Sequence, residues 1–157
     1  MWLPIRAGRF EFRIQLLVPV AAAAFALLLP RSDLWLRYLL ILSVLVFHEC
    51  AHAVTALLLG ARRAIVCIWV CFGLAYVDRF GDRREAWVAL AGPAANLVAA
   101  AALARAGGRP TLALGSAPIL DLLLAANLLM GAGNLIPVFP IDGGRALRAL
   151  RRRPDAA

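Results

Sequence analysis

The sequence predicts an all-α integral membrane bundle of about four transmembrane helices, with a small membrane-associated β strand or hairpin and a broken segment before a C-terminal helix. Three observations carry this prediction. Hydrophobic residues make up 63% of the 157 residues and mean hydropathy is +0.81, far above the apolar share of an ordinary soluble domain. Those residues gather into runs of membrane-spanning length instead of spreading at amphipathic spacing. Arginines flank the runs. Residues 1–157 therefore read as one membrane-embedded domain in contact with the lipid bilayer.

In chain order the candidate spans are residues 14–29, 34–59, 86–104 and 117–135. Each is near or above the length that crosses the hydrocarbon at roughly 1.5 Å rise per residue, the first being short and interrupted by Pro19. Met1 to Pro30 has the basic start and apolar stretch of a signal peptide, but no A-x-A type site leads into a polar domain, so it reads as a retained first span. Ala64 to Val77 is rich in β-branched and aromatic residues and holds Gly73, which predicts a strand or hairpin at the cytoplasmic face. Asp78 to Glu85 then forms an exposed turn, and Gly107-Gly108-Arg109-Pro110 a loop between the last two spans.

The formal net charge of +8 comes from seventeen arginines and no lysine against nine acidic residues. These arginines do not line one patch or helix face, which argues against a nucleic-acid partner. Thirteen fall in three groups, at Arg6 to Arg13, Arg62 to Arg84 and Arg145 to Arg153, leaving Arg31, Arg37, Arg105 and Arg109 opposite. With four spans the positive-inside rule places both termini in the cytoplasm. Cys50, Cys67 and Cys71 are odd in number and lack zinc-ribbon spacing, so they read as small packing residues and not as a disulfide framework.

The two histidines of the whole chain stand four residues apart as His48-Glu49-Cys50-Ala51-His52, inside the second span. On a helix this spacing stacks both imidazoles on one face, where they can grip a single zinc ion. Glu49 projects beside them as a general base for a water molecule. Three ionisable groups within five positions at membrane depth are costly without a metal or a water-filled cavity.

With no third histidine, the remaining ligand is a carboxylate or a cysteine. Asp142 is the best placed, because it follows Asn134-Leu-Ile-Pro137-Val-Phe-Pro140-Ile and precedes Gly143-Gly144. Two prolines and two glycines break the helix there, and irregular backbone near a membrane lines a cavity or is buried in protein. The competing role for Asp142 is capping of the C-terminal helix. Depth supports the grouping: His48, His52 and Asn96 lie roughly 16, 10 and 15 Å in from the cytoplasmic ends of their spans.

The H-E-x-x-H of His48 to His52 and the N-x-x-P-x-x-P-x-D-G of Asn134 to Gly143, with Gly92-Pro93-x-x-Asn96 between them, resemble the site-2 protease family of intramembrane zinc metalloproteases. The likeness runs from about Leu34 to Arg148. It implies one zinc ion per chain on His48, His52 and Asp142, with Glu49 as catalytic acid and base. It further implies that Asn96 and Asn134 hold substrate backbone or stabilise the oxyanion, the alternative for both being interhelical hydrogen bonding.

The implied activity is regulated intramembrane proteolysis of a membrane-anchored protein substrate, in a bacterial or archaeal cell membrane. The strand at Ala64 to Val77 offers an edge onto which an unwound substrate segment could pair, the alternative being simple packing at the membrane surface. Larger members carry PDZ or CBS modules that have no counterpart here, which leaves a minimal enzyme, a homo-oligomer or a shortened chain as open readings. The rival functions are a membrane metal-ion or proton transporter and a catalytically inactive membrane scaffold; Glu49 within H-E-x-x-H and the lack of a paired, repeated half in so short a chain weigh against transport.

Overall fold

The computed structural model describes residues 1–29, 33–70, 72–78, 80, 83–111, 113 and 117–151. Cys71, Asp82 and four of the counted arginines, Arg31, Arg79, Arg152 and Arg153, lie outside them. The elements in order are β1 (Trp2–Ala7), β2 (Phe10–Gln15), α1 (Leu17–Leu28), α2 (Leu34–Leu58), β3 (Ala64–Ile68), β4 (Gly73–Val77), α3 (Arg84–Arg105), α4 (Ile119–Asn134) and α5 (Asp142–Arg151).

Of the helices, α2 and α3 are long and apolar enough to cross a membrane, at 25 and 22 residues, whereas α1 and α4 have 12 and 16. Both long helices stop at left-handed glycines, Gly60 with φ 103° and Gly107 with φ 94°, a conformation that other residues adopt only with strain. The last turn of α4 meets Pro137, which disfavours helical backbone at Ile136. Residues 135–141 then turn back without regular structure, and α5 begins at Asp142.

Two expectations need correction. The fold is not all-α: four strands form one sheet in the order β1-β2-β3-β4, with β2 parallel to β3 and the other pairs antiparallel. The first candidate span also starts too early, since residues 14–15 belong to β2 and the helix begins at Leu17. The hairpin expected in Ala64 to Val77 is present as β3 and β4, yet it does not lie across the end of the bundle. It runs back beside α2, where the Tyr38 hydroxyl donates to the Val70 carbonyl over 3.0 Å and Ala53 packs with Val66 and Ile68. Its apolar side chains cover α2 on the side that α3 leaves open.

The central helix is α3, which packs against α2, α4 and α5. Small residues make the close approach possible: Ala86 and Ala89 of α3 meet Ala146 and Ala149 of α5. At the other end, buried Arg37 joins α2 to the start of α4 by donating to the Ala117 carbonyl over 2.6 Å, with Asp33 as its ion-pair partner at 2.7 Å. The sheet's β1–β2 turn, the end of α2, the start of α3 and α5 gather at the opposite end, where Arg9 reaches the Ala61 carbonyl and Arg84 the Leu59 carbonyl.

Candidate metal centre

The i, i+4 spacing does what helical geometry requires. In α2 the two imidazoles stack one turn apart, ring centroids 4.7 Å from each other, with His48 and His52 only 2% and 3% exposed. The turn back after α4 carries Asp142 to the same point. His48 Nε2, His52 Nε2 and Asp142 Oδ2 stand 3.1 Å from one another in all three pairs. Among the described residues these three form the group able to hold a metal ion.

Each of these three side chains is oriented by a second contact. His52 Nδ1 donates to the backbone carbonyl of Val88 over 2.6 Å, and His48 Nδ1 donates to Asn96 Oδ1 over 2.6 Å. The Nδ1 protons being spent, the Nε2 lone pairs of the neutral rings face each other at 3.1 Å. Two lone pairs at that distance repel unless a cation or a proton lies between them. Asp142 is divided in the same manner: Oδ1 accepts from Arg145 over 3.0 Å, and Oδ2 faces the histidines. Ligand atoms about 2.0 to 2.1 Å from a tetrahedral zinc stand roughly 3.3 Å apart, so the observed triangle matches three corners of such a site.

Gly92 explains how α3 comes so near. A Cβ at this position would lie 2.4 Å from His52 Nε2 and 2.7 Å from His48 Nε2, so only glycine lets the helix close over the ligand atoms. Pro93 follows and removes the helical donor for the Ala89 carbonyl, one residue after the Val88 carbonyl that holds His52.

Glu49 lines the same cavity of about 300 Å³, together with Phe72, Gly73 and Leu74 of the hairpin, Met130 and Asn134 of α4, and residues 140–142. The Ala75 backbone amide of β4 faces its carboxylate. The expected site residues are therefore brought together, with one division of labour. Asn134 lines the cavity, its amide donating to the Met130 carbonyl over 2.9 Å. Asn96 is fully buried and spends both ends of its amide on His48 and Asn127, which is the interhelical hydrogen-bonding role. Sequence reasoning did not find Asn127, Arg145 or Val88. Arg145 alone had a local signal, its i, i+3 spacing from Asp142.

No family model matches the chain. It is 29% identical over 124 residues to a protein named zinc metalloprotease MJ0392 of Methanocaldococcus jannaschii, covering 78% of this chain and 37% of that one. Rip3 of Mycobacterium tuberculosis is 35% identical over 127 residues, covering 74% of this chain and 32% of its own. A protein of Synechocystis sp., sll0528, is 33% identical over 116 residues, or 71% of this chain and 30% of that one. The chain thus spans about a third of the length of these relatives.

Among solved structures, the site-2 protease from Methanocaldococcus jannaschii superposes with a TM-score of 0.71 at 24% identity, covering 96% of this chain and 71% of that one, which shows a shared fold. With the paired motifs, the ligand triangle and these relatives together, the chain belongs to the site-2 protease family of zinc metalloproteases.

Proposed function

We propose that this chain is an intramembrane zinc metalloprotease that hydrolyses peptide bonds in or near the transmembrane segments of membrane-anchored protein substrates. The observation that carries the reading is the 3.1 Å triangle of His48 Nε2, His52 Nε2 and Asp142 Oδ2 with Glu49 in the same cavity. One zinc ion per chain is held by those three atoms. Bound there, zinc supplies the Lewis acidity that lets water attack a carbonyl near neutral pH. Glu49 takes the proton from the attacking water and hands it to the departing amine nitrogen. Asn134 lines the cavity, where its amide can hold substrate backbone or donate to the developing oxyanion.

A helical substrate must expose its backbone before it can be cut. Among the described residues the end strand β4 pairs with β3 alone, and its Gly73 and Leu74 line the same cavity as Glu49. An unwound segment adding to β4 would therefore lie beside Glu49. We further propose one domain embedded in the cell membrane of a bacterium or archaeon, α2 and α3 crossing it and the β1–β2 turn and the C-terminal helix facing the cytoplasm; Met1, hydrogen-bonded to Leu16 with Trp2 against Trp69, stands at the other end of the sheet and not on that side. The support is the gathering of Arg9, Arg63 and Arg84 at the β1–β2 turn end of the bundle and the buried pairing of Arg37 at the other.

The test uses the full chain purified in detergent. Elemental analysis should find one zinc per chain, and a fluorogenic peptide containing a transmembrane segment should be cut. Glu49→Gln should keep the zinc and lose turnover by at least about 100-fold. A parent chain without zinc, or near-normal turnover by Glu49→Gln, would sink the reading.

A further inference from the structure

Behind His48 a line of side-chain amides crosses from α2 through α3 to α4. His48 Nδ1 donates to Asn96 Oδ1 over 2.6 Å, Asn96 Nδ2 donates to Asn127 Oδ1 over 2.8 Å, and Asn127 Nδ2 donates to the Leu123 backbone carbonyl over 2.8 Å. Asn96 is 0% exposed and Asn127 5%, so water does not supply substitutes for any of these partners.

The direction of the line follows from its far end. A backbone carbonyl can only accept, so the Asn127 amide must present its NH2 to Leu123 and its oxygen to Asn96. That oxygen demands a donor, which turns the Asn96 NH2 toward α4 and its oxygen toward His48. An oxygen at this point accepts the Nδ1 proton and leaves Nε2 free as a ligand. Had the Asn96 amide been reversed, its NH2 would face Nδ1 and favour the wrong tautomer. His52 has no such chain, because the Val88 carbonyl fixes it directly.

We infer that Asn127 is a positioning residue for the metal centre: from α4, two helices over from His48, it sets through Asn96 which nitrogen of that histidine carries the proton. The inference rests on the zinc reading above, and deepens it. A buried amide in the middle of an apolar helix is costly unless its hydrogen bonds are made, and here they are made in one order only.

The chain has two histidines, so ring-labelled [15N]histidine protein gives two imidazoles to follow. In the zinc-loaded parent both Nδ1–H protons should be hydrogen-bonded and protected from exchange. Asn127→Leu should weaken zinc binding, read by competition with a chromophoric chelator, by about 10 to 100-fold. It should also remove protection from the His48 Nδ1–H while leaving that of His52.

Asn127→Asp keeps an acceptor for Asn96 and, protonated, a donor for Leu123, so it should restore both readouts to within a few-fold of the parent. If the leucine variant does not fold, Asn127→Ser serves in its place, because its hydroxyl is too short to reach both partners. Unchanged zinc affinity and an unchanged His48 proton in Asn127→Leu or Asn127→Ser, equal loss at His52, or no recovery in Asn127→Asp would overturn the inference. A parent that binds no zinc would instead overturn the zinc reading, and the two failures are distinct.

Discussion

His52 Nδ1 donates to the Val88 carbonyl oxygen over 2.6 Å, so α3, which supplies none of the three grouped side chains, decides which nitrogen of His52 is left facing Asp142. The same holds for His48 through Asn96, also on α3. Two lone pairs and a carboxylate are thereby brought within 3.1 Å of each other and repel unless a cation or a proton lies between them. Stripping zinc with a chelator should lower the thermal midpoint of the detergent-solubilised protein, and restoring zinc should raise it again. At free zinc 100-fold above Kd the difference should approach about 2.7 kcal/mol. A His48→Ala, His52→Ala double variant should show no response to zinc; a parent whose midpoint ignores zinc would remove the proposed site.

Gly92→Ala tests how closely α3 must approach. The added methyl would meet His52 Nε2 at 2.4 Å and His48 Nε2 at 2.7 Å, inside any permitted contact, and the neighbours are fixed rings. Either the imidazoles turn away or α3 shifts, at a cost of about 1 to 3 kcal/mol. Zinc affinity should fall at least about tenfold with the protein still folded. Full zinc content and activity in Gly92→Ala would show that the ligand atoms tolerate a displaced α3.

The turn that delivers Asp142 depends on Gly143 in a comparable way. A Cβ there would lie 2.2 Å from the Leu135 carbonyl oxygen and 2.6 Å from that of Ile136, so α5 packs directly on the backbone of residues 135–136. Gly143→Val should displace Asp142 and reduce both zinc binding and cleavage. Arg145→Gln should have a smaller effect, because it releases Oδ1 while Oδ2 still faces the histidines. If the valine variant binds zinc as the parent does, the delivery of Asp142 does not depend on this contact.

What the sequence showed and hid follows from how local each signal is. His48, Glu49 and His52 sit on adjacent turns, and Asp142 is marked by the prolines and glycines around it, so all four were legible. The N-terminal strands were not. Phe10, Phe12 and Ile14 alternate with Glu11, Arg13 and Gln15, but this period-2 pattern lasts only six residues, carries Arg13 of a basic flank and runs straight into the apolar stretch of α1. Asn127 meets Asn96 across 31 positions, and Val88 meets His52 across 36. No spacing rule reaches that far; such pairs exist only once α3 and α4 have packed. The depth of the hairpin was hidden for the same reason, since Tyr38 and Val70 lie 32 residues apart.

The last prediction concerns the sheet that carries the proposed substrate edge. Glu11 of β2 is 2% exposed and stands among three arginines: Arg13 at 2.7 Å, Arg6 at 3.5 Å, and Arg63 in hydrogen bond from the segment just before β3. The hydrogen bond from Arg13, joined by that from Arg63 and opposed by desolvation, holds the carboxyl at about 2, below its ordinary 4.5. A carboxylate depressed in the folded state adds stability that is fully present above the unfolded value and is lost as pH falls through the folded one. The join between β2 and β3 should therefore loosen from about pH 4.5 to about pH 2. The protection of the Val66 amide, its exchange rate relative to the intrinsic rate at the same pH, should fall across that window. Glu11→Gln, which cannot ionise, should exchange faster than the parent at neutral pH and show no such pH step. A parent whose β2 and β3 amides keep the same protection, relative to intrinsic exchange, at pH 6 and pH 3 would show that the arginine cluster does not hold the sheet together.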